Sequence, residues 1–336
     1  MGSPRAGGKH AGATLTTTVE AMRINRCGTS GLEVSDLGLG TLTWGRDTDA
    51  HEAEDMLTAF VSAGGSLVEI SPTHGDGLAT DVLGALVPVV GRHRLVLAWR
   101  GGARLGADGR LAASAARGVM LSGLDDALQR LGTDHVDLWL AGPDPVVPLD
   151  ETLSALEIAW HTGRAHYVGL SHRGVWDTAW ARSRAEMPGG PPLTAVEEEF
   201  SLLARDDEGG LLRPVIRSGM GVLAHSPLAG GVLTGKYRHS TPADSRAASP
   251  HLRHLVEPHM GPDARGVVEA VVRAAQGLER TPLDVALTWV RGATGISSAV
   301  VGPRSARQMA QILDGGEPLP AQIRQVLDEV SRPPRR

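Results

Sequence analysis

Short apolar runs alternate with longer amphipathic stretches along most of this chain, and this alternation limits the possible folds more than any other feature. In residues 114–131, apolar side chains recur at spacings that keep one face of a helix apolar. The short runs have strand length and cover residues 34–40, 67–69, 95–99, 136–141, 166–169, 195–200, 221–224 and 299–301. Eight strands with helices between most of them fit a (β/α)8 TIM barrel of the α/β class better than an open sheet.

The length and composition agree with one large domain. A chain of 336 residues suits a single barrel, which we place at residues 22–336. Residues 1–21 are rich in Gly, Ala and Thr and lack the apolar centre of a signal peptide, so we predict a disordered leader there. The net charge of −5 argues against a nucleic-acid surface, and no apolar run reaches the length of a membrane span. A cytoplasmic location is the expectation.

Residues 238–265 interrupt the alternation. This segment contains five Pro or Gly residues and four histidines, with little periodicity. A loop of this length inside a compact domain is usually functional or disordered. Its histidines (His239, His251, His254 and His259) lack a metal-ligand spacing, so no metal site is predicted.

Three segments carry a family resemblance together with its departures. Residues 68–77 resemble F-D-T-A-D-x-Y-G-x-G, residues 96–101 resemble V-x-A-T-K-x, and residues 137–145 resemble D-L-Y-x-x-H-x-P-D-P. These are motifs of the aldo-keto reductases, and they contain the four catalytic side chains of that family. All four are changed in this chain: Asp to Glu69, Tyr to His74, Lys to Arg100, and His to a segment one residue short that offers Gly142.

Other segments match the same family more closely. Residues 163–171 resemble G-K-x-R-Y-I-G-x-S, residues 225–237 resemble Y-S-P-L-A-G-G-x-L-T-G-K-Y, and residues 302–308 resemble G-A-R-S-x-x-Q. The resemblance extends from about residue 22 to residue 313 and also includes 131–138, L-G-T-D-H-V-D-L. It implies the barrel fold, an active site at the carboxyl ends of the strands, and a nicotinamide dinucleotide.

The resemblance also assigns a cofactor site. The glycine-containing loop after residue 225 can bring backbone amides to phosphate oxygens, and Arg304 can hold a phosphate bidentately, which favours NADP(H) over NAD(H). The family's nicotinamide contacts are kept at Ser171 but become His172 and Glu197, and its stacking Tyr becomes His225. We expect His172 and Glu197 to form an ion pair. The cofactor-binding residues implied are Thr41, Ser171, His172, Glu197, His225, Ser226, Leu228, Gly230, Arg304 and Gln308.

The chemistry is less determined than the fold. His74 occupies the position of the family's proton donor, and an imidazole with a pKa near 6.5 suits acid–base work at neutral pH, so we predict His74 as the catalytic acid or base. Arg100 can supply a positive field but cannot shuttle protons. Glu69 is predicted to be its ion-pair partner. The sequence does not decide whether Arg100 or Glu69 controls the charge of His74.

Three functions are compatible with these residues. The first is NADP-dependent hydride transfer to or from a small carbonyl or alcohol substrate by an altered catalytic set. The second is a repurposed enzyme in which His74 and Glu69 move protons in an elimination, isomerisation or cyclisation. The third is a nucleotide-binding protein without turnover. In each catalytic case the partner is a small molecule, while its identity and the oligomeric state of the protein stay open.

Overall fold

A closed barrel of eight parallel strands forms the centre of the computed structural model, which describes residues 22–105, 111–205 and 210–332. The predicted leader, residues 1–21, lies outside the described residues. The strands in chain order are β1 (Ile24–Arg26), β2 (Glu33–Ser35), β3 (Leu37–Gly40), β4 (Leu67–Ile70), β5 (Val96–Gly101), β6 (Ala103–Leu105), β7 (Leu111–Ala113), β8 (Val136–Ala141), β9 (Ala165–Ser171), β10 (Leu193–Glu199), β11 (Gly221–His225) and β12 (Ile296–Val301).

Helices surround the barrel and follow most of its strands. In chain order they are α1 (Ala50–Ser62), α2 (Ala79–Val90), α3 (Arg117–Leu131), α4 (Leu149–His161), α5 (Gly174–Ala185), α6 (Leu212–Arg217), α7 (Pro262–Gly277), α8 (Pro282–Arg291), α9 (Ala306–Leu313) and α10 (Ala321–Val330). Their starts follow local chemistry: the side chains of Asp49, Thr281 and Ser305 cap α1, α8 and α9 by accepting a backbone N–H of the first turn. No helix in the described ranges is long and apolar enough to cross a membrane.

The order of strands around the barrel is β3–β4–β5–β8–β9–β10–β11–β12, and β12 returns to β3. This arrangement confirms the (β/α)8 prediction. The first apolar run, 34–40, proves to contain two strands, because β2 pairs antiparallel with β1 and only β3 enters the barrel. The β1–β2 hairpin lies at the amino ends of the barrel strands, where the Asn25 side chain donates to the carbonyl of Ser297 and Thr29 N donates to Gly219.

A buried ion pair lies beside the seam between the first and last barrel strands. Asp36, which is 1% exposed and precedes β3, accepts hydrogen bonds of 2.9–3.1 Å from two nitrogens of Arg291 at the end of α8. Arg23 Nε adds a third donor at 2.9 Å. The Asp36 carbonyl also accepts from Ala299 N of β12. These contacts connect the seam to a helix of the outer layer at the amino-terminal face of the barrel.

The segment predicted as a long loop has local structure. It contains three short 3-10 turns, Arg246–Ala248, Arg253–Leu255 and Glu257–His259, and its last residues already belong to α7. Leu252 and Val256 of this segment are buried, so the loop packs on the barrel instead of projecting from it.

Candidate active site at the barrel mouth

The three residues predicted to be catalytic meet at the carboxyl ends of neighbouring strands. Glu69 is near the end of β4, Arg100 is near the end of β5, and His74 lies in the short 3-10 turn His74–Gly77 that follows β4. Glu69 and His74 are each 2% exposed. Parallel pairing of β4 with β5 places their carboxyl ends side by side, which explains how distant sequence positions form one cluster.

Hydrogen bonds fix the proton position on His74. Nε2 lies 2.9 Å from Nη2 of Arg100, which can only donate, so Nε2 is the acceptor. The proton of the neutral ring is then on Nδ1, which donates to Thr41 Oγ1 at 3.0 Å, and Thr41 in turn donates to the carbonyl of Glu69 at 3.3 Å. Both ring nitrogens are therefore engaged, and Thr41 acts on His74 as well as lying near the predicted cofactor site.

Burial and the charge of Arg100 together keep His74 neutral. Burial lowers the pKa of His74 well below its usual value, and the charge of Arg100 lowers it further. Glu69 Oε1 lies 3.9 Å from Nε2, a weaker contact than the one with Arg100. The imidazole is consequently neutral near pH 7, which answers the question that the sequence left open.

Arg100 is shared by two carboxylates. Its Nε lies 3.1 Å from Glu69 Oε1 and 3.7 Å from Oε2 of Glu197 on β10. Burial and the neighbouring Glu197 charge raise the pKa of Glu69 to about 7, although Arg100 opposes this shift. Burial also disfavours the charged form of Glu197, but Arg100 and His172 outweigh it and lower that pKa. Glu197 is therefore charged at neutral pH, whereas Glu69 gains its proton as the pH falls through about 7.

The predicted nicotinamide contacts lie around Glu197. Ser171 Oγ, at the end of β9, donates to Glu197 Oε2 at 2.8 Å. Two buried polar atoms, Glu197 Oε1 and His225 Nδ1, have no hydrogen-bond partner among the described residues. Burial lowers the pKa of His225 to about 4, so this ring is neutral. A ligand could therefore donate a hydrogen bond to Glu197 Oε1 and form a second hydrogen bond with His225 Nδ1.

The ion pair predicted between His172 and Glu197 is wrong. The carboxylate beside the His172 ring is that of Glu198, with Oε2 3.7 Å from Nδ1. Glu197 contacts His172 through its backbone carbonyl, which accepts from the backbone N–H of His172. His172 has a left-handed φ of 51°, and successive strand residues point to opposite faces, so its side chain reaches Glu198 instead of Glu197. Burial alone would lower the pKa of His172, but Glu198 and Glu197 raise it above its usual value.

The loop after β11 has several residues with left-handed backbone angles. Ser226, Ala229, Gly230 and Gly231 all have positive φ, between 49° and 96°. A Cβ atom at Gly231 would lie 2.8 Å from Nζ of Lys236, so a side chain there would displace the ammonium group. The partly buried side chain of Leu228 packs against the hydrophobic core and so anchors this loop to the barrel.

Three cations gather beside this loop. Burial lowers the pKa of Arg246 to about 10, and the charge of Arg304 adds to the effect. Lys236 is exposed at the surface, but partial desolvation of its ammonium group lowers its pKa, with the charges of Arg246 and Arg304 among the further causes. None of the three forms an ion pair with a carboxylate in the described parts of the chain. Arg246 and Arg304 instead donate to the backbone carbonyls of Gly302 and Asp244.

The comparison with known proteins decides the family. The sequence profile of the Aldo/keto reductase family matches residues 36–331. The chain belongs to the aldo/keto reductase family.

Two plant proteins are similar to this aldo/keto reductase chain over nearly their whole length. Both are named "Probable voltage-gated potassium channel subunit beta". The protein from Oryza sativa subsp. japonica is 28% identical over 316 residues, which covers 92% of this chain and 95% of the rice protein. The protein from Arabidopsis thaliana is 28% identical over 318 residues, which covers 93% of this chain and 96% of its own.

Within this aldo/keto reductase barrel, the remaining predicted residues surround α9. Gln308 Oε1 accepts from Arg304 N at 2.9 Å, and Ser305 caps the helix by accepting from Gln308 N. Gln308 therefore holds the turn that presents Arg304. Lys236 and Arg246 were not among the predicted site residues, although Lys236 lies within the motif at residues 225–237. Arg246 lies in the segment without periodicity, where only the folded loop shows which side chain turns toward the cations.

Proposed function

We propose that this aldo/keto reductase binds NADP(H) and transfers hydride to or from a small carbonyl or alcohol substrate with an altered catalytic set. The observation that carries the proposal is the cluster of Lys236, Arg246 and Arg304, which has no carboxylate partner in the described chain. Three neighbouring cations repel one another unless an anion lies between them. A dinucleotide phosphate has the charge and the bidentate geometry that arginines bind best.

The other end of the mouth fits a nicotinamide carboxamide. This group has an NH2 donor and a carbonyl acceptor. Glu197 Oε1 can accept from the NH2 group, while Ser171 keeps the second carboxylate oxygen in place. His172, whose raised pKa favours the protonated ring, can donate to the carbonyl. The bound cofactor would supply the hydride, and the chain's own residues would provide orientation and charge.

In this proposal Arg100 binds the substrate oxygen. An arginine has five N–H groups, and Arg100 uses one on Glu69 and one on His74, which leaves donors for a carbonyl oxygen. Its side chain remains 20% exposed at the mouth. Such donors stabilise the negative charge that develops on oxygen during reduction. Glu69, with a pKa of about 7, holds the proton that the product alcohol requires.

His74 has a different role in this arrangement from the family's tyrosine. Its neutral ring accepts from Arg100 and donates to Thr41, so we assign it as a positioning residue for Arg100. For His74 to act as the acid or base, as the sequence predicts, Nε2 must first lose its bond to Arg100. His74→Phe separates the two roles. A positioning role predicts a higher KM with the pH profile of kcat unchanged, whereas an acid–base role predicts the loss of one limb of that profile.

The test combines calorimetry with NADP+ and NADPH oxidation over a panel of small aldehydes and ketones. We expect saturable NADP+ binding and a turnover well below that of family members with the usual catalytic set, because loss of a general acid costs roughly 10²–10⁴-fold in rate. Arg100→Gln should abolish turnover but keep nucleotide affinity. The control Arg94→Gln should change neither, since the one side-chain hydrogen bond of Arg94 within the described residues goes to the carbonyl of Val61. Absence of nucleotide binding to the wild-type protein would refute the proposal.

A second candidate is a nucleotide-binding subunit without turnover. It is favoured by the name of the two plant relatives and by the Arg100–Glu69–His74 network, in which each residue is already bonded to another. Tight NADP(H) binding with no oxidation of NADPH by any carbonyl would support it. Turnover in the absence of any nucleotide would instead identify the non-redox chemistry in which Glu69 and His74 move protons.

A further inference from the structure

A second cluster of ligand-type side chains lies on the face of the barrel opposite the mouth. His135 immediately precedes β8, Asp137 is the second residue of β8, and His166 is the second residue of β9. Pairing of β8 with β9 brings the amino ends of these strands together. One ligand atom from each of the three residues lies within 4.8 Å of the others. The cluster is partly exposed, so ions in solution can reach it.

The hydrogen bonds of His135 leave a nitrogen lone pair directed at Asp137. Nδ1 of His135 lies 2.6 Å from Asp134 Oδ1, and a carboxylate in this position favours the tautomer with the proton on Nδ1. Nε2 is then an acceptor, and it faces Asp137 Oδ1 at 3.9 Å. Metal-binding histidines commonly donate their other ring N–H to a carboxylate in this way.

Asp137 is oriented by its other oxygen. Oδ2 accepts from the backbone N–H of Leu97 at 2.8 Å, and it forms an ion pair with Nη2 of Arg92 at 2.8 Å. Oδ1 has no hydrogen bond from the described residues. Two acceptors, Asp137 Oδ1 and His135 Nε2, thus face each other with no donor between them, an arrangement that a cation would stabilise.

His166 supplies the third ligand atom. Its ring stacks on that of His135, with centroids 3.9 Å apart and an angle of 21° between the planes. One ring nitrogen of His166 lies within 4.8 Å of a ligand atom from each of the other two residues. A ring nitrogen of neutral histidine is a common metal ligand.

We propose that His135, Asp137 and His166 bind a divalent first-row transition ion of the Zn²⁺ type at the amino-terminal face of the barrel. Two imidazole nitrogens and one carboxylate oxygen are ligands that Zn²⁺ prefers, and water completes the coordination on the exposed side. Bonds of about 2.0–2.2 Å require ligand atoms roughly 3.3 Å apart, so the side chains must approach by about 1 Å. Arg92 opposes the ion electrostatically and sets a limit on the affinity.

The site would act on stability instead of catalysis. The ion would join the starts of β8 and β9, and Asp137 extends the connection to β5 through Leu97 N. Features of this face of a (β/α)8 barrel generally serve stability, since the chemistry lies at the opposite face. The proposal is therefore independent of the proposed redox function.

The experiment uses the full chain, without a histidine tag and freed of metal by a chelator. Zn²⁺ is titrated by calorimetry, and Co²⁺ is followed by its visible absorption. We expect saturable binding of one ion, weakened at least tenfold in His135→Ala and in His166→Ala. Asp134→Asn should weaken it roughly 10–100-fold through the loss of the outer carboxylate. Zn²⁺ should raise the Tm of the wild-type protein but not that of His166→Ala.

The matched control is His161→Ala, because His161 is an exposed histidine on α4 with a single carboxylate, Glu157, 3.9 Å away. It should bind Zn²⁺ like the wild type. No saturable binding to the wild type would overturn the proposal. Unchanged binding in both His135→Ala and His166→Ala would also overturn it, because the ion would then be held elsewhere. His166 is exposed, so its variant tests binding without disturbing the core.

Discussion

The two sides of the barrel mouth treat charge in opposite ways. On the β4–β5 side, Arg100 faces Glu69 and Glu197, and the neutral His74 completes the set. On the β11–β12 side, Lys236, Arg246 and Arg304 lie together with no carboxylate partner in the described chain. The first group is neutralised from within. The second carries a positive charge that a bound anion would stabilise.

This difference indicates which part of the family's function is better kept. The side that would hold the nucleotide retains the glycine loop, the positive φ values and the cations. On the side that would perform chemistry, Glu69, His74 and Arg100 are bonded to one another. We therefore expect disruption of the inner group to affect folding and turnover together, and disruption of the outer group to affect nucleotide binding alone.

The largest effect is expected when Arg100 is removed. Arg100→Met leaves Glu69 and Glu197 buried without their cation, and breaking a buried pair in this way costs about 3–5 kcal/mol of unfolding free energy. Urea denaturation measures the loss, and Arg100→Lys should recover part of it. A loss below about 1 kcal/mol would mean that the carboxyls need no cation, and the contrast between the two sides would disappear.

Removal of the Arg246 side chain should lower the affinity for NADP+. Arg246→Met should weaken NADP+ by roughly 2–4 kcal/mol, about 30-fold to 1000-fold, because a partly buried charge contact with phosphate is lost. Calorimetry gives the affinity, and circular dichroism checks the fold. Arg238→Met is the control, since exposed Arg238 is already paired with Glu269 at 2.7 Å. Equal effects of the two variants would show that general surface charge, not the cluster, attracts the nucleotide.

The inner group should give stability a characteristic pH dependence. The pKa of Glu69 is about 7 in the folded protein against 4.5 as its ordinary value, so the folded state binds this proton more tightly than the unfolded state. Its contribution to stability is fully present below about pH 4.5 and is lost as the pH rises through 7, with a slope of at most about 1.4 kcal/mol per pH unit. Glu69→Gln should flatten this decline.

The control for that measurement is Glu54→Gln, which changes an exposed carboxylate on α1. It should leave the slope as in the wild type. If Glu69 also supplies the proton in carbonyl reduction, turnover should fall above about pH 7 in the wild type, and Glu69→Gln should lose this limb. A decline in stability that survives in Glu69→Gln would assign the proton to another group.

The smallest effect concerns nucleotide choice. Arg304→Ala should reduce the preference for NADP+ over NAD+ by about 1 kcal/mol, roughly fivefold, because Arg304 is only partly buried and its charge is screened. The affinity for NAD+ should hardly change. A wild-type protein that binds both nucleotides equally would remove Arg304 from the phosphate site and leave Lys236 and Arg246 to act on the pyrophosphate.

Sequence periodicity was sufficient for the barrel because its strands and helices follow the spacing rules for buried faces. The bounds were less accurate: the run 34–40 includes the turn at Asp36 between β2 and β3, and an apolar pattern does not show where a chain changes sheet. The helix predicted at 114–131 begins at Arg117, since its first residues remain extended.

Motif positions correctly brought Glu69, His74 and Arg100 together but did not give the direction of their hydrogen bonds. That direction depends on which side chain lies closer to the imidazole. Arg100 Nη2 is 2.9 Å from His74 Nε2, whereas Glu69 Oε1 is 3.9 Å away. The partner of His172 was mistaken because a left-handed backbone angle is not visible in a strand pattern. The His135 cluster escaped notice for a related reason: its members come from two strands whose register only the folded barrel reveals.

The ion pair of Asp36 with Arg291 has a consequence for the opposite face of the barrel. It stabilises the barrel at the closure between its first and last strands, on the face away from the mouth. Neither residue of this pair contacts Glu69, His74 or Arg100, so the closure does not depend on which side chains occupy the mouth. The barrel can therefore lose its chemistry at one face and keep its closure at the other.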